Sequence, residues 1–354
     1  ATGRPVSCSH HLSAKLNGPK RALTALLNAR LIGMIARLIN KAEGKLGELG
    51  IHAPLMVVRG DGALISADQA RERPIETILS GPAASIVGAR WMTGADHALV
   101  SDIGGTTTDV AVLRGGKPAI DPGGARVGPW RTMVEAVAMR TTGLGGDSEV
   151  YVMDEGLIGG VTLGPRRVVP VSLIAQDAPD VVHKILDEQL RSDTPGEYDA
   201  RFVRSVPGID SGGLQEKDVT LLERIGTEVH PVSKVLRTRM EVAALKRLVM
   251  RGLVQVSGST PSDASHVLGR LTAWDREAAE KALTLLARKR TGAGNRVTDG
   301  PEEMAQMIVD QLTYQTSLAL LETAFAEEET ALGLPAADLA RHVLMQRGLC
   351  LLYT

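Results

Sequence analysis

The sequence predicts an α/β fold, because two hydrophobic periods alternate along it. Between Gly18 and Gly50 the apolar residues Ala22, Leu26, Ala29, Ile32, Ala36 and Ile39 recur at helical spacing, and the strand-length run PLMVVRGDG follows at once. From His97 to Leu163 the period falls toward two in short runs cut by glycine, and after Pro170 helical spacing returns.

Gly50 closes the first helix as a C-terminal cap. The run ending at the Gly-flanked Asp61 reads as a buried strand and its turn. In PIETILSGPAASIVGAR, Ser80 is placed to cap a helix whose first turn holds Pro82, where proline loses no needed donor. The small residues Gly81, Ala84, Ser85 and Gly88 share one face of it, which fits either tight packing or a helix at a lobe junction. The runs ALVSD, TTDVAVL, KPAI, TMVEAVAMRTT, EVYVM and GVTLG predict a β-rich block, with Gly115 and Gly116 as a two-residue hairpin turn. Helices are expected over 178–190, 216–225, 233–251 and 275–290, with a strand over 200–206. A polar linker over 291–300 precedes a helix over 301–329 and another from Pro335 to Gly348. The segment VAALKRLVMRGLVQVSG, helix then strand, has the outline of a small winged-helix unit.

Composition excludes several classes. The 354 residues suffice for about two domains at ~150 residues each. Lys and Arg number 40 against 41 Asp and Glu, so the formal charge of −1 provides no basic field for nucleic acid or an anionic membrane, and the winged-helix outline is not read as a DNA reader. Aromatic residues at 3% leave no stacking platform for bases, while 38 glycines supply tight backbone turns. The two cysteines, Cys8 and Cys350, have neither disulfide-framework nor zinc spacing, which fits a reducing, cytoplasmic setting. The most apolar stretch, Leu23 to Ile39, is interrupted by Asn28, Arg30 and Arg37, so no membrane-spanning helix is expected. The opening ATGRPVSCSHHL has neither the basic nor the apolar region of a signal peptide, and the chain reads as a piece of something longer.

The sharpest chemical signal is SDIGGTTTDVAVL, from Ser101 to Leu113. A strand delivers Asp102, Gly104 and Gly105 turn the chain, and a second strand leaves carrying Asp109. Adjacent glycines let backbone amides point into one space and admit a phosphate closely, and Thr106, Thr107 and Thr108 add hydroxyls. Asp102 at the end of its strand is suited to hold Mg²⁺ through the ion's water shell, since Mg²⁺ takes few carboxylates and several waters. The alternative is a plain Gly-Gly hairpin with a solvated aspartate. A second glycine-rich turn, GLGGDS, places Gly145, Gly146, Asp147 and Ser148 between two strands, either facing the same cleft or serving as a structural turn.

Other nucleotide and catalytic motifs fail. There is no G-x-x-x-x-G-K-[ST], and GGTTTD leads into a strand rather than a helix. GLGGDS lacks the third dinucleotide-fold glycine and is followed by EVYVM. His10 and His11 are adjacent but the other histidines are dispersed, no H-E-x-x-H occurs, and no G-x-S-x-G elbow supports a covalent hydrolase.

In order along the chain, RPIETILSGPAASIVGAR, SDIGGTTTDVAVL, RTTGLGGDSEV, LGPRRVVP and STPSDASHVLGRL resemble the A-type subunits of hydantoinase/oxoprolinase enzymes, from about residue 5 to beyond residue 330. The resemblance implies actin-like (ribonuclease H-like) ATPase lobes with a helical insertion, in which two α/β lobes close on ATP. On that reading residues 1–95 form the end of a first lobe with its connecting helix, 96–175 the β-rich start of a second lobe with the phosphate hairpin, 176–300 a mainly helical insertion, and 301–354 the closing helices. It implies ATP and Mg²⁺ as cofactors, Asp102 as the metal-binding and catalytic carboxylate, and Gly104, Gly105, Thr106 and Thr107 on phosphate. Asp109, Gly145 and Gly146 join the cofactor site, and Asp147 is a second catalytic candidate.

The implied activity is ATP-dependent opening of a cyclic amide such as a hydantoin or 5-oxoproline, through phosphorylation of the lactam oxygen. Related members carboxylate ketones by a similar activation, usually with a B-type partner subunit. The chain departs from the family in holding one D-x-G-G-T-x-T-D motif where relatives hold two, in stopping at Thr354 before a glycine-rich adenosine segment, and in carrying GGDS where many relatives carry GGGS. The implied partners therefore include N- and C-terminal segments of the same protein, and the isolated chain is expected to bind nucleotide weakly and to be inactive. Two alternatives stay open: a kinase-like phosphotransferase, and a non-catalytic nucleotide-sensing or subunit-docking module whose helices 23–49 and 301–329 bind a partner.

Overall fold

The computed structural model describes residues 6–153 and 159–332, so the helix expected over 335–348 lies outside the described residues. These fall into two compact units: one takes the chain up to Asp102, Asp109–Thr141 and from Leu320 on, and the other takes Ile103–Thr108 and Thr142–Ala319. The architecture is mixed α/β with small sheets.

In the first unit the long helix spans Gly18–Glu48. Asn17 caps it by accepting from the Lys20 amide, and it ends at Gly50, whose φ of 71° lets the Ile51 amide turn back to the Leu46 carbonyl at 2.9 Å and the Gly50 amide to Gly47 at 3.0 Å. By length and composition this helix is long and apolar enough to cross a membrane, with an 18-residue window of mean hydropathy 1.6, against the expectation from its polar interruptions. Asn28 is one of those interruptions, yet it is buried: its amide donates to the Glu72 carbonyl at 3.0 Å and accepts from the Ile75 amide at 3.1 Å. That side chain ties the helix to the short helix Ala67–Glu72 and the 3-10 turn Pro74–Thr77.

Met56–Val58 pairs antiparallel with Leu64–Ser66 across the Asp61 turn, and Met56 is exposed, so this strand is only partly buried. The next helix, Ser80–Thr93, starts from Leu79 in the left-handed region (φ 62°), and Ser80 makes no side-chain cap. Its buried residues are Ala83 and Ile86, which pack on Ala111, Leu113 and Val137, while a Cβ at Gly81 or Gly88 would meet open space. Among the described residues the small-residue face is therefore not a tight-packing seam.

Thr108–Arg114 pairs with Ala98–Ile103, with Met139–Thr142, and with Lys117–Pro118 through Gly115 and Gly116, both at positive φ. The run TMVEAVAMRTT supplies a strand only at Met139–Thr142; before it the chain folds back through single bonds such as Asp121 N–H to Ala136 O at 2.9 Å and Ala125 N–H to Val134 O at 2.8 Å.

In the second unit Ser148–Met153 pairs antiparallel with Gly160–Arg167, with a register break between Leu163 and Arg167. A four-stranded sheet runs in the order Val169–Pro170, Val254–Gly258, Phe202–Ser205, His230–Pro231; its first pair is parallel and the others antiparallel. Val254–Gly258 is thus an interior strand, not the wing of a winged-helix unit. The helix expected over 233–251 is two, Val232–Val235 and Glu241–Met250, because the Glu241 carboxylate accepts from the Arg237 amide at 2.7 Å and holds Arg224 at 2.9 Å, stopping the chain between them. Helices Pro179–Leu190, Glu216–Ile225, Arg276–Ala287 and Pro301–Leu332 match the expected segments. Leu144, Val150 and Val161 pack with Ala264, Leu283 and Ile308, fixing the strand hairpin on the helices.

Candidate functional site

The turn at Gly104 is closed by its own amide, which donates to the Thr107 carbonyl at 2.9 Å. Gly104, Gly105 and Thr106 are exposed, and among the described residues the amides of Gly105 and Thr106 find no acceptor in the chain. Neither glycine has positive φ, so conformational freedom is not what requires them. Close approach is what requires Gly105 and, in the second turn, Gly145. A Cβ on Gly105 would lie 3.0 Å from Asp147 Oδ2, and one on Gly145 would lie 2.4 Å from the Gly104 carbonyl oxygen.

The second glycine turn docks on the first main chain to main chain. The Gly146 amide donates to Gly104 O at 3.1 Å and the Asp147 amide to Gly105 O at 2.6 Å. Below them, the buried Thr108 hydroxyl donates to Leu144 O at 2.8 Å and the Ser148 hydroxyl accepts from the Gly145 amide at 2.9 Å. Both turns belong to the second unit, so Gly104, Gly105, Thr106, Gly145, Gly146 and Asp147 form one site within it. Thr107 lies half-buried on the same tip.

A third segment, to which no sequence motif assigns a role, meets these turns. The Ser262 amide donates to Gly146 O at 2.8 Å, and its side chain bonds the Asp147 carboxylate. Ser262 opens the helix Pro261–Val267, whose capping box pairs Thr260 with Asp263. The buried Asp263 carboxylate also accepts from the amides of Val171 and Ser172 and the Ser172 hydroxyl, joining two helix starts. Burial pushes its carboxyl up, against the pull of those donors. His266 is buried: one nitrogen faces Ser262 O at 2.7 Å and the other accepts from the Trp274 amide at 3.1 Å, which ties the chain at Trp274 to this helix. The S/T-x-x-D pattern beginning at Thr260 was the available sequence signal, but only tertiary folding brings Ser262 to Asp147.

Burial also pushes the Asp147 carboxyl above its usual range, while Arg167, with Nε 3.5 Å from Oδ2, and the Ser262 bond pull it down. A carboxyl so perturbed beside exposed amides is suited to proton transfer. Two expected residues lie in the first unit instead. Asp102 is half-buried in Ala98–Ile103, one residue before the second unit begins, and Asp109 accepts from the Thr141 hydroxyl at 2.5 Å. No group of three or more His, Cys, Asp or Glu able to hold a metal occurs among the described residues.

The geometry brings two glycine-rich turns together, with open amides at Gly105 and Thr106 beside the Asp147 carboxylate. The hydantoinase/oxoprolinase family model matches residues 21–323, and the chain belongs to that family. It is similar to the caprolactamase subunit alpha of Pseudomonas jessenii, 27% identical over 164 residues covering 46% of this chain and 23% of that protein. It is similar also to the acetophenone carboxylase gamma subunit of Aromatoleum aromaticum, 27% identical over 172 residues covering 46% of this chain and 22% of that protein. Among solved structures, a nucleotide-free acetone carboxylase covers 91% of this chain and 34% of its own, at 18% identity and a TM-score of 0.48. The chain spans under a quarter of the length of these curated relatives.

Proposed function

We propose that this chain is part of an ATP-dependent enzyme that opens a cyclic amide of the hydantoin or 5-oxoproline type. The observation that carries the reading is the exposed Gly104–Gly105 turn, with unengaged amides at Gly105 and Thr106 and the Asp147 carboxylate beside it. Membership of the family and the likeness to a caprolactamase subunit support it.

An unstrained amide is a poor electrophile; ATP supplies the phosphoryl group that turns its oxygen into a leaving group, and Mg²⁺ neutralises the charge. The amides of Gly105 and Thr106 would donate to phosphate oxygens, with the Thr106 and Thr107 hydroxyls alongside and Gly104 leaving room for the approach. Asp102 would hold the ion's water shell. Gly145 and Gly146 keep the second turn close enough for Asp147 to stand at the phosphate end, where its carboxylate takes a proton from attacking water. Ser262 and Arg167 orient that carboxylate. Asp109, bonded to Thr141, would steady the strand that follows the turn.

The actin-like lobe architecture, with divisions near residues 95, 175 and 300, belongs to this proposal, as do a B-type partner subunit and further segments of the same protein. The test uses the full-length protein with its partner: Asp102→Ala abolishes amide-dependent ATP turnover, and undiminished turnover refutes the role. The likeness to an acetophenone carboxylase subunit favours a second reading, carboxylation after the same activation. Product analysis separates the two, a ring-opened acid against a new carbon–carbon bond.

A further inference from the structure

The second unit holds another cavity, of about 260 Å³, behind the strand that carries Arg167. Its floor is aliphatic. On the helix Glu241–Met250, Val242, Leu245 and Val249 recur at three- and four-residue spacing and turn one face toward the space, opposite Val256 of the interior strand. Its rim is cationic: Arg166, Arg167, Arg201 and Lys246 line it, and among the described residues no acidic side chain does.

The acids that answer these cations stand outside the cavity. Glu149 is buried and pairs with Arg201 and, at 3.6 Å, with Arg166; Asp147 faces Arg167 at 3.5 Å. Glu197 is engaged by the Tyr198 hydroxyl at the same rim. Lys246 has no ion-pair partner among the described residues, so four cations meet three carboxylates, those of Glu149, Asp147 and Glu197, and the surplus toward the cavity is one positive charge.

From this pairing of an apolar floor with an unbalanced cationic rim, we infer that the cavity binds a small carboxylate carrying an aliphatic body. The chain buries the body against Val242, Leu245 and Val249, and the charge meets Lys246 and the arginines. Arg167 belongs to both places, so a ligand anion here draws on the same guanidinium that faces Asp147. The inference does not depend on the nucleotide reading, and its test contains no nucleotide.

Hexanoate, hexanamide and acetate are titrated separately into the full-length protein by calorimetry. Hexanoate should bind at least tenfold more tightly than hexanamide, which has the body without the charge, and than acetate, which has the charge without the body. Lys246→Glu, at an exposed position, should weaken hexanoate more than tenfold, and Lys246→Met by a smaller factor. Absence of hexanoate binding, hexanamide binding as tightly as hexanoate, or hexanoate affinity unchanged in Lys246→Glu would each overturn the inference.

Discussion

The main-chain amide of Asp147 donates to the carbonyl oxygen of Gly105 across 2.6 Å, so at this seam the two glycine-rich turns meet main chain to main chain. That seam requires Gly145, whose Cβ would fall 2.4 Å from Gly104 O and 2.7 Å from Gly105 C. Gly145→Ala should cost about 1–3 kcal/mol in chemical denaturation, the usual range for forcing an extra carbon into a filled space. Gly104→Ala has its nearest neighbour at 3.6 Å and should leave stability within about 0.5 kcal/mol while lowering ATP turnover. If both variants lost stability alike, the seam would not be what Gly145 serves.

Asp147 makes a pH-dependent prediction. Its carboxyl is raised in the folded protein, chiefly by burial, so the folded state holds the proton more tightly than the unfolded chain. The stability this contributes is present below the unfolded pKa and is lost as pH rises through the folded value. Asp147→Asn should therefore gain melting temperature relative to the parent as pH climbs through that window. Arg167→Met removes the cation that pulls the carboxyl down and should move it further up, read by carboxyl carbon NMR; a downward or absent movement would contradict the pairing.

Asp263 should be the costliest single change near the site. Its carboxylate accepts five hydrogen bonds, from the amides of Val171, Ser172 and Thr260 and from the hydroxyls of Ser172 and Thr260, all buried. Asparagine would turn an NH₂ group toward donors and should cost about 3 kcal/mol, measured by denaturant unfolding.

Thr108→Val tests the link beneath the turns. The hydroxyl is buried and bonded to Leu144 O, so valine should lose about 1 kcal/mol with little change in volume. An unchanged midpoint would mean that this bond does not hold the turns together.

Much of the scaffold was legible because its causes are local. The end of the first helix at Gly50, the Gly115–Gly116 hairpin and the glycine turn between Asp102 and Thr108 each follow from residues within a few positions. The failures are non-local. Ser80 was placed as a cap, but Leu79 takes the left-handed conformation and the helix starts without one. The helix over 233–251 breaks where Glu241 captures Arg224, seventeen positions away, together with the Arg237 amide. TMVEAVAMRTT alternates like a strand, yet most of it pairs by scattered bonds. At the site, the glycines and Asp147 stood out in the sequence. Ser262 and Arg167 lie in two of the motifs that carry the resemblance but show no role in the sequence, because a serine within a capping box and an arginine at a strand end look ordinary until folding brings them to one carboxylate.

The most direct test of the central claim is amide hydrogen exchange on the full-length protein with and without MgATP. The account predicts that exchange in a peptide spanning residues 103–108 slows on adding MgATP, because the open amides of Gly105 and Thr106 gain phosphate acceptors, and that Asp102→Ala diminishes the protection. Equal exchange with and without MgATP, in a protein that turns over ATP, would contradict it.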